Sequence, residues 1–329
     1  MRPALAAFVL LALVAPAAAG EPVAIAVGRG PCCVVVSAGR VWVGNQRDAT
    51  VQEIDPSSNA VVATVQTGPS SDNLRVSQLL DLVAAYGAVW ATNGGTHRLY
   101  RIDSKTRAVR SVRLGAFVGG VAAAAGKVWV SVDHAALARI DPGTMKAEGR
   151  VDLLERIHGF ITSIAAGSRN VWVATDGGDV VQVDAGTMRV RARLRLGTSL
   201  AATIGVLAGG SYWVVRAGRP TLFRISTGIA KVVARLPIAL GSAPVFPALA
   251  TAADGSLWLL PHPAQALELD RGTGRIRTSL SVPLPDNDPG NYYPATVTVG
   301  FGSTWVASWP GTRGGFADPT RGVVYRFAR

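Results

Sequence analysis

Cysteine, lysine and histidine are all scarce in this chain, and each scarcity excludes something. Cys32 and Cys33 are the only cysteines among 329 residues. No disulfide framework can staple the fold, and two thiols alone cannot complete a tetrahedral metal site. Of 33 basic residues only Lys105, Lys127, Lys146 and Lys231 are lysines; the rest are arginines. They are spread along the chain and read as a solvated surface. Acidic residues number only 21, so the formal charge is +12. That balance favours acidic surfaces, for instance an anionic cell-envelope polymer, and nucleic acid is not expected for an exported chain. No nucleophile elbow and no dense acidic metal cluster occurs. Helical periodicity is hard to find, and beyond the first twenty residues no apolar run is long enough to span a bilayer.

That first stretch, MRPALAAFVLLALVAPAAAGEP, has a positive start at Arg2, an apolar run from Ala4 to Val14, a break at Pro16 and small residues at Ala17, Ala18 and Ala19. It reads as a secretory signal peptide cleaved near Ala19, which predicts residues 1–19 as leader, 20–329 as the mature domain, and a secreted, periplasmic or cell-envelope location.

What the chain has in quantity is a repeat. GRVWVGN, GAVWATN, GKVWVSV, RNVWVAT, GSYWVVR, GSLWLLP and GSTWVAS place Trp42, Trp90, Trp129, Trp172, Trp213, Trp258 and Trp305 at one equivalent position, spaced by 48, 39, 43, 41, 45 and 47 residues. A period in the forties with several short strands per unit is the signature of a β-propeller blade. The tryptophans are expected to pack between neighbouring blades as apolar filler. About a dozen residues after five of them stands an aspartate in a turn: Asp55, Asp103, Asp141, Asp184 and Asp270. Such an aspartate accepts hydrogen bonds from the backbone ahead of it, and its repetition marks a structural hairpin between the third and fourth strands.

The last repeat is one strand short, whereas the mature chain begins with an unassigned strand-like segment, Val23–Val27. The expectation is an all-β, single seven-bladed propeller with four-stranded blades, closed by Val23–Val27 as the fourth strand of blade 7. Closure removes the exposed edges that an open array would leave.

With WVGN and WATN followed in register by the Ile-Asp turns, the chain resembles the YVTN-type β-propeller repeats of surface-layer and periplasmic proteins. In repeat style it also resembles the streptogramin (virginiamycin B) lyase group. The resemblance implies the fold over the whole mature chain. It leaves activity open, because the Glu-x-Trp-Phe-Thr-Glu-like context of the lyase group's active residues is absent here.

Strand connectivity sorts the loops onto two faces. Short, uniform turns lie on one. The loops between second and third strands, and from blade to blade, lie on the other, around the channel mouth, and these vary in length and sequence. Binding on a rigid scaffold usually resides in such loops. All four histidines fall there: His97, His134, His158 and His262. They are the candidates for acid–base or metal chemistry, should they converge. The ligand-binding candidates on the same face are Cys32, Cys33, Arg47, Asp133, Tyr292, Tyr293 and Trp309, the last being the tryptophan outside the repeat. PDNDPGN, residues 285–291, reads as a polar turn, because Pro289 departs from the calcium-loop pattern and no bidentate glutamate follows. No metal and no cofactor is assigned. Cys32 and Cys33 have three fates: a vicinal bridge shaping the channel mouth, pairing between molecules, or staying reduced, in which case one packs in the core as a small hydrophobe and the other is incidental.

Three functions remain open: a binding or scaffold protein with its site on the variable face, a metal-dependent lyase or lactonase-like enzyme at the channel mouth, and a purely structural surface protein.

Overall fold

The computed structural model describes residues 21–71, 79–198, 201, 203–216, 219–238, 248–261, 265–283, 293–309 and 322–329. Their strands form seven four-stranded antiparallel sheets. Six are built from consecutive strands. Blade 1, for example, runs Pro31–Ser37, Arg40–Asn45, Thr50–Asp55 and Ala60–Gln66. In the seventh, Tyr293–Gly300, Ser303–Trp309 and Gly322–Ala328 are joined by Val23–Val27, with Val23 opposite Arg326 and Val27 opposite Gly322. Successive first strands touch around the ring, and that of blade 7 returns to that of blade 1. No helix among the described residues is long and apolar enough to cross a membrane.

Burial follows strand position. The second strands are buried but for the first residue of some, and wholly so in Ala88–Asn93, because both faces meet a neighbouring blade. The fourth strands alternate, as in Val190–Arg195, because one face is wet. Each repeat tryptophan is at most 1% exposed. Each packs against the next blade: Trp42 against Leu79 and Leu82, Trp129 against Ile164 and Val171, and Trp305 across the closure against Val34 and Val43. Trp42, Trp90 and Trp305 also donate Nε1–H to the carbonyl five residues back, at 3.3, 3.1 and 3.0 Å.

The aspartate turns are closed as their sequence requires. Asp141 Oδ1 accepts from Gly143 N, Thr144 N and Thr144 Oγ1, and Asp184 and Asp270 repeat the pattern. These bonds hold the Asp141 carboxyl down at about 2.

The arginines correct a sequence expectation. Several are latches between blades rather than solvated surface. Opposite its tryptophan, Arg139 reaches Ala185 O and Gly186 O of the next blade's turn at 3.1 and 2.9 Å. Arg326 crosses the closure to Pro56 O and Asn59 Oδ1 at 2.6 and 2.7 Å. Blade 1 reverses the polarity: Glu53, 3% exposed, accepts from Arg107 of blade 2 at 2.6 Å. The planar guanidinium fork both caps a tryptophan face, with Arg326 Cζ 5.0 Å from the Trp305 ring centroid, and donates sideways, which lysine cannot do as well.

Two candidates expected in the variable-face loops lie in strands instead. Tyr293 and Trp309 are strand residues paired with each other in blade 7, not loop residues, so strand pairing extends further towards the mouth.

Candidate functional site: the channel mouth

The first strands line the central channel, and five of the seven carry a bulge at the mouth end, between Pro31 and Cys33, Leu79 and Asp81, Val118 and Val121, Ile161 and Ser163, and Pro294 and Thr296. A bulge inserts an unpaired residue and re-aims its neighbours. The register then places one ring of residues around the lumen: Cys33, Asp81, Gly120, Ser163, Ile204, Ala248 and Thr296. They line a cavity of about 610 Å³ whose other walls are mostly valine, leucine, isoleucine, alanine and glycine.

Cys32 is the bulged residue of blade 1, and a disulfide joins it to Cys33. Cys33 is 6% exposed and packs with Leu79 and Leu82 of blade 2. The Cys32 sulfur lies 3.6 Å from Gly44 O, and that of Cys33 lies 3.7 Å from Leu80 O. Both cysteines are among the residues that line the cavity. Of the three fates open to the pair, the structure shows the vicinal bridge.

Asp81, the next member of the ring, was not legible as special in the sequence. Its Oδ1 accepts from Leu82 N at 2.8 Å, and its Oδ2 accepts from Val121 N of blade 3 at 3.0 Å. Desolvation in the channel pushes its carboxyl up to about 6 against the pull of these two bonds. It is the sole ionisable side chain among the described residues of the lumen wall. Ser163 of blade 4 meets its neighbour in the same way, accepting from Gly205 N at 3.1 Å and donating to Gly205 O at 2.9 Å.

At the rim, Phe117, His134 and Phe160 form an aromatic ledge. Phe117 lines the lumen and stacks on His134, with ring centroids 4.1 Å apart; the Phe160 ring follows at 4.7 Å, tilted. Phe160 is 56% exposed. Asp133 and His134 both take positive φ, 48° and 64°, a conformation that costs free energy in residues with a Cβ. Asp133 supports it: its carboxylate accepts from Arg150 Nη1 at 2.6 Å and from Ala116 N and Phe117 N at 2.7 and 3.2 Å. These contacts, Arg150 first, hold its carboxyl below the usual range. Asp133 therefore positions the ledge, and both its oxygens are engaged within the fold. Asp176 holds Phe160 N at 2.7 Å, and Asp48 holds Arg29 N at 2.8 Å, in the corresponding lead-in loops. The buried asparagines of WVGN and WATN order the same level. Asn45 donates to Thr50 and Gln52, and Asn93 donates to Thr67 O while accepting from Thr96 N.

The other candidates lie apart from the ring. His158 Nδ1 is 2.9 Å from Asp179 Oδ2, and its backbone N–H donates to the same oxygen at 2.6 Å. Arg193 and Arg195 complete this surface cluster. Burial tends to raise the Asp179 carboxyl, but the His158 and Arg193 contacts outweigh it and the net shift is downward. The His134 ring instead contacts Phe117 and Phe160, His97 stands at a positive φ of 57° in the blade 2 loop, and no contact joins the three rings. Arg47 is buried beneath the Gly30 turn, its backbone N–H donating to Arg29 O. His262, Tyr292 and the 285–291 turn lie outside the described residues, as do the side chains of Tyr293 and Trp309. Among the described residues no three His, Cys, Asp or Glu side chains gather to hold a metal ion. A larger hollow of about 1020 Å³ lies on the opposite face, between the turns of blades 4 and 5. Its polar groups already serve the fold: Gln182 donates to Thr227 O, and Asp184 binds Thr187 and Arg191.

A family described as a repeat of unknown function, DUF6923, matches residues 31–133, which span blades 1 and 2 and the first two strands of blade 3. No curated protein matches the chain. The match covers the cystine, Asp81 and Phe117 and assigns none of them a role.

Proposed function

We propose that this is an exported binding propeller that receives a compact, largely apolar small molecule at the mouth of its channel. The observation that carries the reading is the lumen ring itself: a cystine and one carboxyl, with the hydroxyls of Ser163 and Thr296, in an otherwise mostly apolar wall around a cavity of ligand size. A central channel comes with any propeller; it is the cystine and the carboxyl in its wall that favour binding over a purely structural role. The lyase- or lactonase-like reading needs histidines that converge, and those described keep separate neighbours. A disulfide persists in oxidising compartments, which supports export and the leader reading of residues 1–19. The resemblance to YVTN-type repeats supports a cell-envelope setting.

Gly120 tests the reading. A Cβ there would meet Ile164 and Asp81 only at ordinary contact distances, 3.4 and 3.5 Å, and its φ is not positive. Gly120→Leu should therefore fill the lumen without breaking the strand. Small molecules released by denaturing the purified protein would be compared by mass spectrometry. A compound released from the wild type and missing from Gly120→Leu supports the reading; extracts that do not differ overturn it.

A second partner, an anionic envelope polymer, is favoured by the outer strand of blade 4. There Arg189, Arg191, Arg193 and Arg195 are all exposed along one edge, the last three paired with Asp184 or Asp179. Alternate strand residues lie about 7 Å apart, which suits a chain of regularly spaced anions.

A further inference from the structure

Asp81 and Ser163 occupy equivalent places in the ring and perform the same structural task. Each accepts a backbone N–H from the first strand of the following blade. In blade 4 a neutral hydroxyl suffices. In blade 2 the task falls to a half-buried carboxyl, which desolvation pushes up to about 6. The charge is surplus to the fold. It is also unanswered: no cationic side chain among the described residues lines the lumen, in a protein with a formal charge of +12. Elsewhere several exposed arginines meet carboxylates, as Arg150 meets Asp133 and Arg191 meets Asp184. Asp81 has only two backbone N–H groups, which leave lone pairs on both oxygens.

Asp81 shares the cavity with Phe117, the inner ring of the aromatic ledge. An anion in a mostly apolar wall that also holds an aromatic ring is an arrangement that selects an organic ammonium. The carboxylate neutralises the charge, the ring face attracts it, and the aliphatic wall takes the rest of the molecule. Resting on the channel-binding reading above, we infer that the lumen selects a small organic cation, a primary or quaternary ammonium with an apolar or aromatic body, and that Asp81 is the residue that sets this preference.

The test uses two probes of similar size, benzyltrimethylammonium and benzyl alcohol, in calorimetric titrations at pH 7.5. Salt at about 150 mM would screen the arginine-rich exterior beyond a Debye length of about 8 Å. Four proteins are compared: wild type, Asp81→Ser, Asp81→Asn and Gly120→Leu. Asp81→Ser copies the arrangement that Ser163 already sustains, and thermal melting checks that each variant is folded. The wild type should bind the cation at least tenfold more tightly than the alcohol. In Asp81→Ser and Asp81→Asn the two affinities should fall within twofold of each other, and Gly120→Leu should abolish both. Equal affinities in the wild type, or a cation preference that survives both Asp81 substitutions, overturns the inference and leaves the channel-binding reading intact. Binding that Gly120→Leu leaves unchanged, or no binding of either probe to the wild type, overturns the reading and the inference with it.

Discussion

The two faces of the propeller use carboxylates in opposite ways. On the turn face, Asp103, Asp141, Asp184 and Asp270 each gather hydrogen bonds from the backbone just ahead, and every one of these carboxyls is held below its ordinary range. In the channel, Asp81 meets two N–H groups yet titrates high, because desolvation outweighs them. One face is repeated because each blade must solve the same problem of closing a hairpin against its neighbour. The other differs from blade to blade at ring positions where the fold needs no particular side chain. Uniformity marks where packing sets the residue, and variation marks where a ligand can.

The largest expected effect breaks the first half of that contrast. Trp305→Ala would empty the seam between blades 7 and 1, where the ring is fully buried. A loss of about 3–5 kcal/mol is expected from the cavity it leaves. Phe160→Ala, at the exposed rim, should stay within about 0.5 kcal/mol. Urea denaturation of both variants decides; comparable losses would mean that the rim is as structural as the seam.

A pH series sharpens the second half. The Asp81 carboxyl stands near 6 in the folded protein against 3.8 for the ordinary group. Its contribution to stability is present in full below about 3.8 and is lost as pH rises through about 6. Between pH 4 and 7 the wild type should therefore lose up to about 3 kcal/mol relative to Asp81→Asn. Asp141, near 2, runs the other way: its contribution is present above 3.8 and lost as pH falls through about 2. Wild type and Asp141→Asn should diverge only in strong acid. Melting temperatures for the three proteins across the range check both signs, and parallel curves for wild type and Asp81→Asn would contradict the channel environment described here.

The smallest effect concerns the cystine. A bridge between adjacent residues closes almost no loop, so reducing it should change global stability by less than about 1 kcal/mol. A larger shift in the urea midpoint on adding a dithiol would show that the mouth of blade 1 props up the fold.

Much of this architecture was legible because it repeats. Seven tryptophans in register gave the blade count, and the unpaired Val23–Val27 gave the closure, since a strand with no partner must find one. The aspartate turns were legible because a side chain bonding to its own next residues needs no distant partner. The latches were not: Arg139 and Arg326 act across blades, and nothing local distinguishes them from a solvated arginine. Asp81 was hidden for a related reason. Its surroundings arise from a bulge and from seven strands far apart in sequence, while residues 70–82 alone read as one variable loop, whose last four residues are in fact strand. The histidines drew attention by residue type, but their loops send the rings to different neighbours.

Closure by Val23–Val27 also orders events in time. Its partner, Gly322–Ala328, is synthesised roughly 300 residues later, which at about 5–20 residues per second means some 15 to 60 seconds. Through that interval a short apolar segment, VAIAV, waits without its sheet. The strand made first is used last, so any factor that shields nascent chains would matter most at this segment.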